Sequence, residues 1–132
     1  MMAKSEQQAY VDRMFQERGY VLDFHKVMAA EDFEFLKAYN HMIQAGYTDS
    51  RRLDPKTKEL LFTVILTAAK ANVDHIRTHI KLAIDYGASK QDVLEALEIC
   101  IPAAGVPAFM IGFEAWKQEV SPLKLEPSPS CD

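Results

Sequence analysis

Apolar residues recur along this chain at intervals of three and four, and nowhere do they alternate with a period of two over a strand's length. The pattern predicts an all-α, single-domain helical bundle of about six helices. A first helix is expected over about Ser5–Arg18, closed by Gly19. A second is expected over about Glu31–Gln44, with Phe33, Leu36, Ala38, Tyr39, Met42 and Ile43 as its apolar side and Gly46 as its stop. The stretch "GYTDSRR" then has turn chemistry and reads as a loop.

"LDPKTKELLFTVILTAAKA" is the clearest helix start. Asp54 suits the N-cap, and Pro55 suits the first helical position, where a missing N–H costs nothing. From Leu60 to Ala69 the segment is apolar nearly all round, which predicts a helix buried on most sides, in the domain or between subunits. The break at "KANVD" restarts a helix, with Asn72 as N-cap and Asp74 near its positive end, running to Tyr86 and stopped by Gly87. Ser89 and Asp92 form an expected capping box for the next helix, which stops around "IPAAGVP". A last helix, about Ala108–Val120, carries Phe109, Phe113 and Trp116 as core or subunit interface. The domain is thus expected over residues 1–120. "SPLKLEPSPSCD", residues 121–132, is Pro/Ser-rich and reads as a flexible tail.

Charge and composition narrow the functions. The 132 residues are 48% hydrophobic and carry a net charge of −4, so no basic field exists to attract nucleic acid or an anionic membrane. The polar first twenty residues hold no apolar signal-peptide core, and no run approaches a membrane span. The two cysteines, Cys100 and Cys131, are no disulfide framework, and Cys100 reads as a small buried hydrophobe. Cytoplasmic residence is the expectation.

The chemistry-bearing stretch is "ANVDHIRTH", which places His75 and His79 four apart beside Asp74. On a helix both imidazoles lie on one face, about one turn apart. Three readings follow from spacing alone: an acid/base pair titrating near neutrality, polar rim residues on an amphipathic helix, or two ligands of a metal site. The metal reading needs a third ligand, for which Asp74 or Glu59 could serve though nothing in the sequence points them inward, and Ile76 stands where the helical zinc motif carries its Glu. Glu59 lies in the first turn of the preceding helix. In an antiparallel pair it and the histidines start at opposite ends, so their meeting is expected to need a bent connection or a neighbouring subunit. Arg51 and Arg52 suit bidentate binding of a substrate carboxylate, or are solvated loop charges. Arg77 projects away from both histidines, toward an interface or solvent. His25 and His41 read as isolated surface or core histidines.

Taken in order, "LDPKTKELL", "HIRTH", "LAIDYGASKQDVLEAL" and "AAGVPAF" resemble the carboxymuconolactone decarboxylase family, over about residues 30–118. The alkylhydroperoxidase-like branch carries Cys-x-x-Cys-x-x-x-His at the start of this helix, and uses the two thiols for redox chemistry. Counting back from His79, the cysteine positions fall on Asn72 and His75, so that apparatus is missing. "VDHIRTH" is similar to the other branch, the lactone decarboxylases. His75 stands where that branch's pattern has a carboxylate, and "AGYTDSRRLDP" replaces its tryptophan-containing segment. The resemblance implies an alkylhydroperoxidase-like helical subunit that assembles into a homo-oligomer, a trimer or hexamer. It implies a small carboxylated substrate and proton chemistry without a cofactor, because a conjugated lactone is its own electron sink. His79 would donate the proton, with His75 polarising the carbonyl and Glu59 orienting an imidazole. Arg51, Arg52 and Asp74 would bind substrate. A non-catalytic binding module and an antioxidant peroxidase are the alternatives.

Overall fold

The computed structural model describes residues 3–120, so the expected tail and Cys131 lie outside the described residues. Within them the chain is helix and turn, with no strand. It divides into two compact units, the first ending at Arg52 and the second beginning at Leu53.

In the first unit, α1 (Glu6–Arg18) starts at Ser5, whose hydroxyl accepts from the Gln8 N–H. It ends at Gly19, which takes φ 83° and donates its N–H to the Phe15 carbonyl. Next comes α2 (Asp23–Glu31), which the apolar pattern does not predict. The reason is chemical: its buried positions are His25 and Ala29, while Phe24 and Val27 face outward. A histidine and an alanine leave no hydrophobic signature. Asp32 caps α3 (Phe33–Ile43), accepting from the Phe35 N–H. Gly46 does not stop the chain: it lies inside a π-helical turn, Gln44–Thr48, that continues α3. The unit's core is Val11, Met14, Ala29 and Leu36.

The second unit holds the candidate chemistry. Asp54 caps α4 (Pro55–Ala68) by accepting from the Thr57 N–H at 2.8 Å, with Pro55 at the expected position. α4 ends in a Schellman motif: the Lys70 N–H donates to Thr67 O and the Ala71 N–H to Leu66 O. Lys70 takes the left-handed conformation, φ 57°, that this motif demands. The short link brings α5 (Val73–Asp85) back along α4, with Asn72 as N-cap accepting from the Asp74 N–H. α5 closes with the same motif, this time on Gly87 at φ 106°. Ser89 and Asp92 form the expected capping box of α6 (Lys90–Glu98). A short α7 (Cys100–Ala104) precedes α8, which starts at Val106, two residues before the expected start, and runs to Val120.

α5 buries Ile76, His79, Ile80 and Ala83, an i, i+3, i+4, i+7 stripe facing the core. That core adds Ala88, Val93, Leu97, Ala115 and Trp116, with Phe109 and Phe113 packed against it. The Trp116 Nε1–H donates to the Lys90 carbonyl at 2.8 Å, tying α8 to the start of α6. Within the chain α4 is buried along one side. Its buried stripe is Glu59, Thr63 and Thr67, whereas Leu61 and Ile65 are exposed, Ile65 by 64%. Leu60 and Leu66 still pack against the core, alongside the polar stripe that faces in. Gly112 of α8 permits the close approach there, since a Cβ would lie 2.4 Å from Thr67 Oγ1 and 2.8 Å from Leu97 Cδ2.

Candidate functional site

The inward stripe of α4 meets the inward stripe of α5 at one charged contact. His79 Nδ1 lies 2.7 Å from Glu59 Oε2, and the two side chains are 0% and 3% exposed. Neither a bent connection nor a second subunit is needed. His79 is six residues into α5 and Glu59 nine residues before the end of α4, so a hairpin with a short link sets them nearly level. With the carboxylate ionised, Nδ1 carries a proton and donates it to Glu59. The ring is thereby fixed in one orientation, with Nε2 on the opposite edge.

Two aromatic neighbours complete the arrangement. Phe62 stacks on the His79 imidazole, with ring centroids 4.2 Å apart and planes 8° from parallel. The His75 ring lies one turn earlier on α5, 5.2 Å away by centroids and tilted by 51°. It is half-buried. Burial, and then the neighbouring His79, hold the His75 pKa below the ordinary 6.5. Near neutrality His75 is therefore uncharged, with one N–H to donate and one lone pair to accept.

The structure thus brings together Glu59, His79 and His75, and adds Phe62, which the sequence reading missed. Its signal was present: Phe62 is three residues after Glu59, on the same helical face. His79 is no rim residue, since it occupies a core position of α5. Asp74, an expected substrate ligand, is not drawn into the cluster: it is 85% exposed and lies 3.7 Å from Arg77 Nη1. Arg77 serves an interface within the chain: its Nε donates to Glu119 at 3.2 Å and its Nη1 to Gln118 at 3.3 Å, both on α8. Arg51 and Arg52 are exposed at the end of the first unit, where Arg51 donates to the Ala45 carbonyl at 3.4 Å. Cys100 is buried, which raises its thiol pKa and suppresses thiolate chemistry. Of the isolated histidines, His25 is buried and His41 exposed. Among the described residues no group of three or more His, Cys, Asp or Glu is placed to hold a metal ion.

The fold and site define an all-helical chain with a buried imidazole–carboxylate pair and a second imidazole one turn away. The family model for the carboxymuconolactone decarboxylase family matches residues 34–118, and the chain belongs to that family. Membership places it among carboxymuconolactone decarboxylase-like and alkylhydroperoxidase-like proteins. No curated protein and no solved structure gives a significant match. Among the described residues no helix is long and apolar enough to cross a membrane.

Proposed function

We propose that the chain is a cofactor-free decarboxylase or isomerase of a small carboxylated lactone or ring-cleavage metabolite, working in the cytoplasm by histidine acid/base chemistry. The observation that carries this reading is the buried Glu59–His79 pair with the neutral His75 beside it. In decarboxylation the bond from carbon to the carboxylate breaks and CO₂ leaves. The electron pair moves through the alkene onto the lactone carbonyl oxygen. His75 donates a hydrogen bond to that oxygen, and His79 then delivers a proton from Nε2 to carbon. The Glu59 carboxylate stabilises the charged imidazole before the transfer and holds the tautomer afterwards. In isomerisation no CO₂ leaves: uncharged His79 takes a proton from carbon through the Nε2 lone pair, and returns it at the other end of the conjugated system.

A thiol peroxidase is disfavoured by Asn72 and His75 standing at the cysteine positions and by the suppressed thiol of Cys100. The test is a panel of carboxylated unsaturated lactones assayed for CO₂ release and for migration of the double bond. Turnover of one member supports the reading. Saturable binding of panel members with no turnover favours a binding module, and consumption of peroxide with a dithiol reductant overturns the reading.

A further inference from the structure

The first unit carries polar machinery that the acid/base reading does not use. Arg18, only 8% exposed, donates through Nη2 to Asn40 Oδ1, and its guanidinium lies 5.8 Å from the centre of the Tyr20 ring. Its Nη1 is 3.3 Å from His25 Nε2. An imidazole supplies no negative charge, and no carboxylate pairs with Arg18 among the described residues. The C-terminal end of α1 offsets part of this buried cation. Neutral hydrogen-bond partners solvate the rest. Since Arg18 can only donate, Asn40 must turn its Nδ2 the other way, and it donates to the Tyr10 hydroxyl at 3.1 Å. Tyr10 accepts there, so its own O–H points elsewhere.

It borders a cleft of about 170 Å³, lined also by Arg13, Glu17, Asn40, His41 and Gln44. Arg13 and Glu17 are four apart on α1, yet they form no ion pair with each other. Arg13 lies against the Tyr10 ring at 5.4 Å, and Glu17 accepts from Gln44 Nε2 at 2.8 Å. Opposite charges held apart on one cleft wall, beside a polarised hydroxyl, suit a dipolar guest. The cleft is smaller than the roughly 300–1,000 Å³ of sites for drug-sized ligands. We propose that it binds a small free amino acid as its zwitterion. The carboxylate sits on the Tyr10 hydroxyl and Arg13, and the ammonium sits on Glu17. The site is independent of the His75–His79 chemistry.

The test is an NMR titration of the ¹⁵N-labelled full chain with L-alanine at constant ionic strength. Acetate and ethylammonium serve as half-ligands. The expected result is saturable amide shifts confined to residues 10–18 and 40–44, with each half-ligand at least about tenfold weaker. Arg13→Gln and Glu17→Gln, both at the surface, are each expected to weaken binding about tenfold, the scale of one charge-assisted hydrogen bond. Absence of saturation, equal binding of a half-ligand, shifts centred on residues 73–85, or affinity unchanged in both variants would each overturn the proposal.

Discussion

His79 sits where an amphipathic helix ordinarily places leucine or isoleucine, between Ile76 and Ile80, and is 0% exposed. Burying an imidazole there is tolerable because Glu59 meets Nδ1 and Phe62 covers one face. Glu59→Ala is therefore expected to destabilise the fold by at least about 2 kcal/mol, from a stranded polar group and a cavity together. Urea denaturation would check it, and a change under about 0.5 kcal/mol would contradict the pairing. His75 gives a prediction in pH. Its folded pKa lies below 6.5, so the unfolded state takes up the proton first as the pH falls. Stability from this residue is unaffected above pH 6.5 and declines below it, until the folded ring is protonated too. His75→Gln should flatten that part of the stability profile; an unaltered slope would contradict the assignment. At this scale the sequence made the two histidines legible through their spacing and nominated Glu59. It could not separate core from rim for His79, because that depends on which stripe of α5 turns inward. The Arg18–Asn40–Tyr10 chain spans 30 residues and leaves no local signal.

Caps and stops decide the elements, and they were the most readable feature. Asp54, Asn72, Ser89, Gly19 and Gly87 all act where turn and cap chemistry put them. Two failures have physical causes. α2 buries a histidine and an alanine, and α4 buries the polar stripe Glu59, Thr63 and Thr67 with Leu60 and Leu66 beside it, so periodicity of apolar residues misses the first and does not tell which face of the second turns inward. Lys70 is a third surprise, occupying the position that Gly87 fills in the next helix. Lys70→Gly should stabilise the protein by about 1 kcal/mol by relieving a left-handed side-chain residue. Thermal denaturation that shows a loss instead would contradict the Schellman assignment. The α4–α8 contact makes a further prediction. Gly112→Ala should cost about 1–3 kcal/mol by overpacking against Thr67 and Leu97. Thr67→Ala in the same chain should recover much of it, since it removes the two atoms nearest the new Cβ. Additivity of the two changes would show that they do not touch.

For the whole molecule, family membership was legible because the ordered set of segments, rather than any one motif, carries it. Assembly is a proposal that follows from exposure. Leu61, Ile65, Ile99 and Met110 of the second unit are 46–66% exposed, more large apolar surface than an isolated subunit usually leaves in water. We propose that a homo-oligomer, a trimer or hexamer, covers them. Ile65→Glu should then lower the sedimentation mass toward that of one chain, and a monomeric parent protein would refute it. The central claim concerns His79, and the most direct measurement is the rate of CO₂ release or double-bond migration on a carboxylated lactone, for the parent chain and for His79→Ala with its helical content verified. The account predicts a fall of about 10²-fold or more with His79→Ala. Equal rates in the two proteins, or no turnover of any such lactone by the parent, would contradict it.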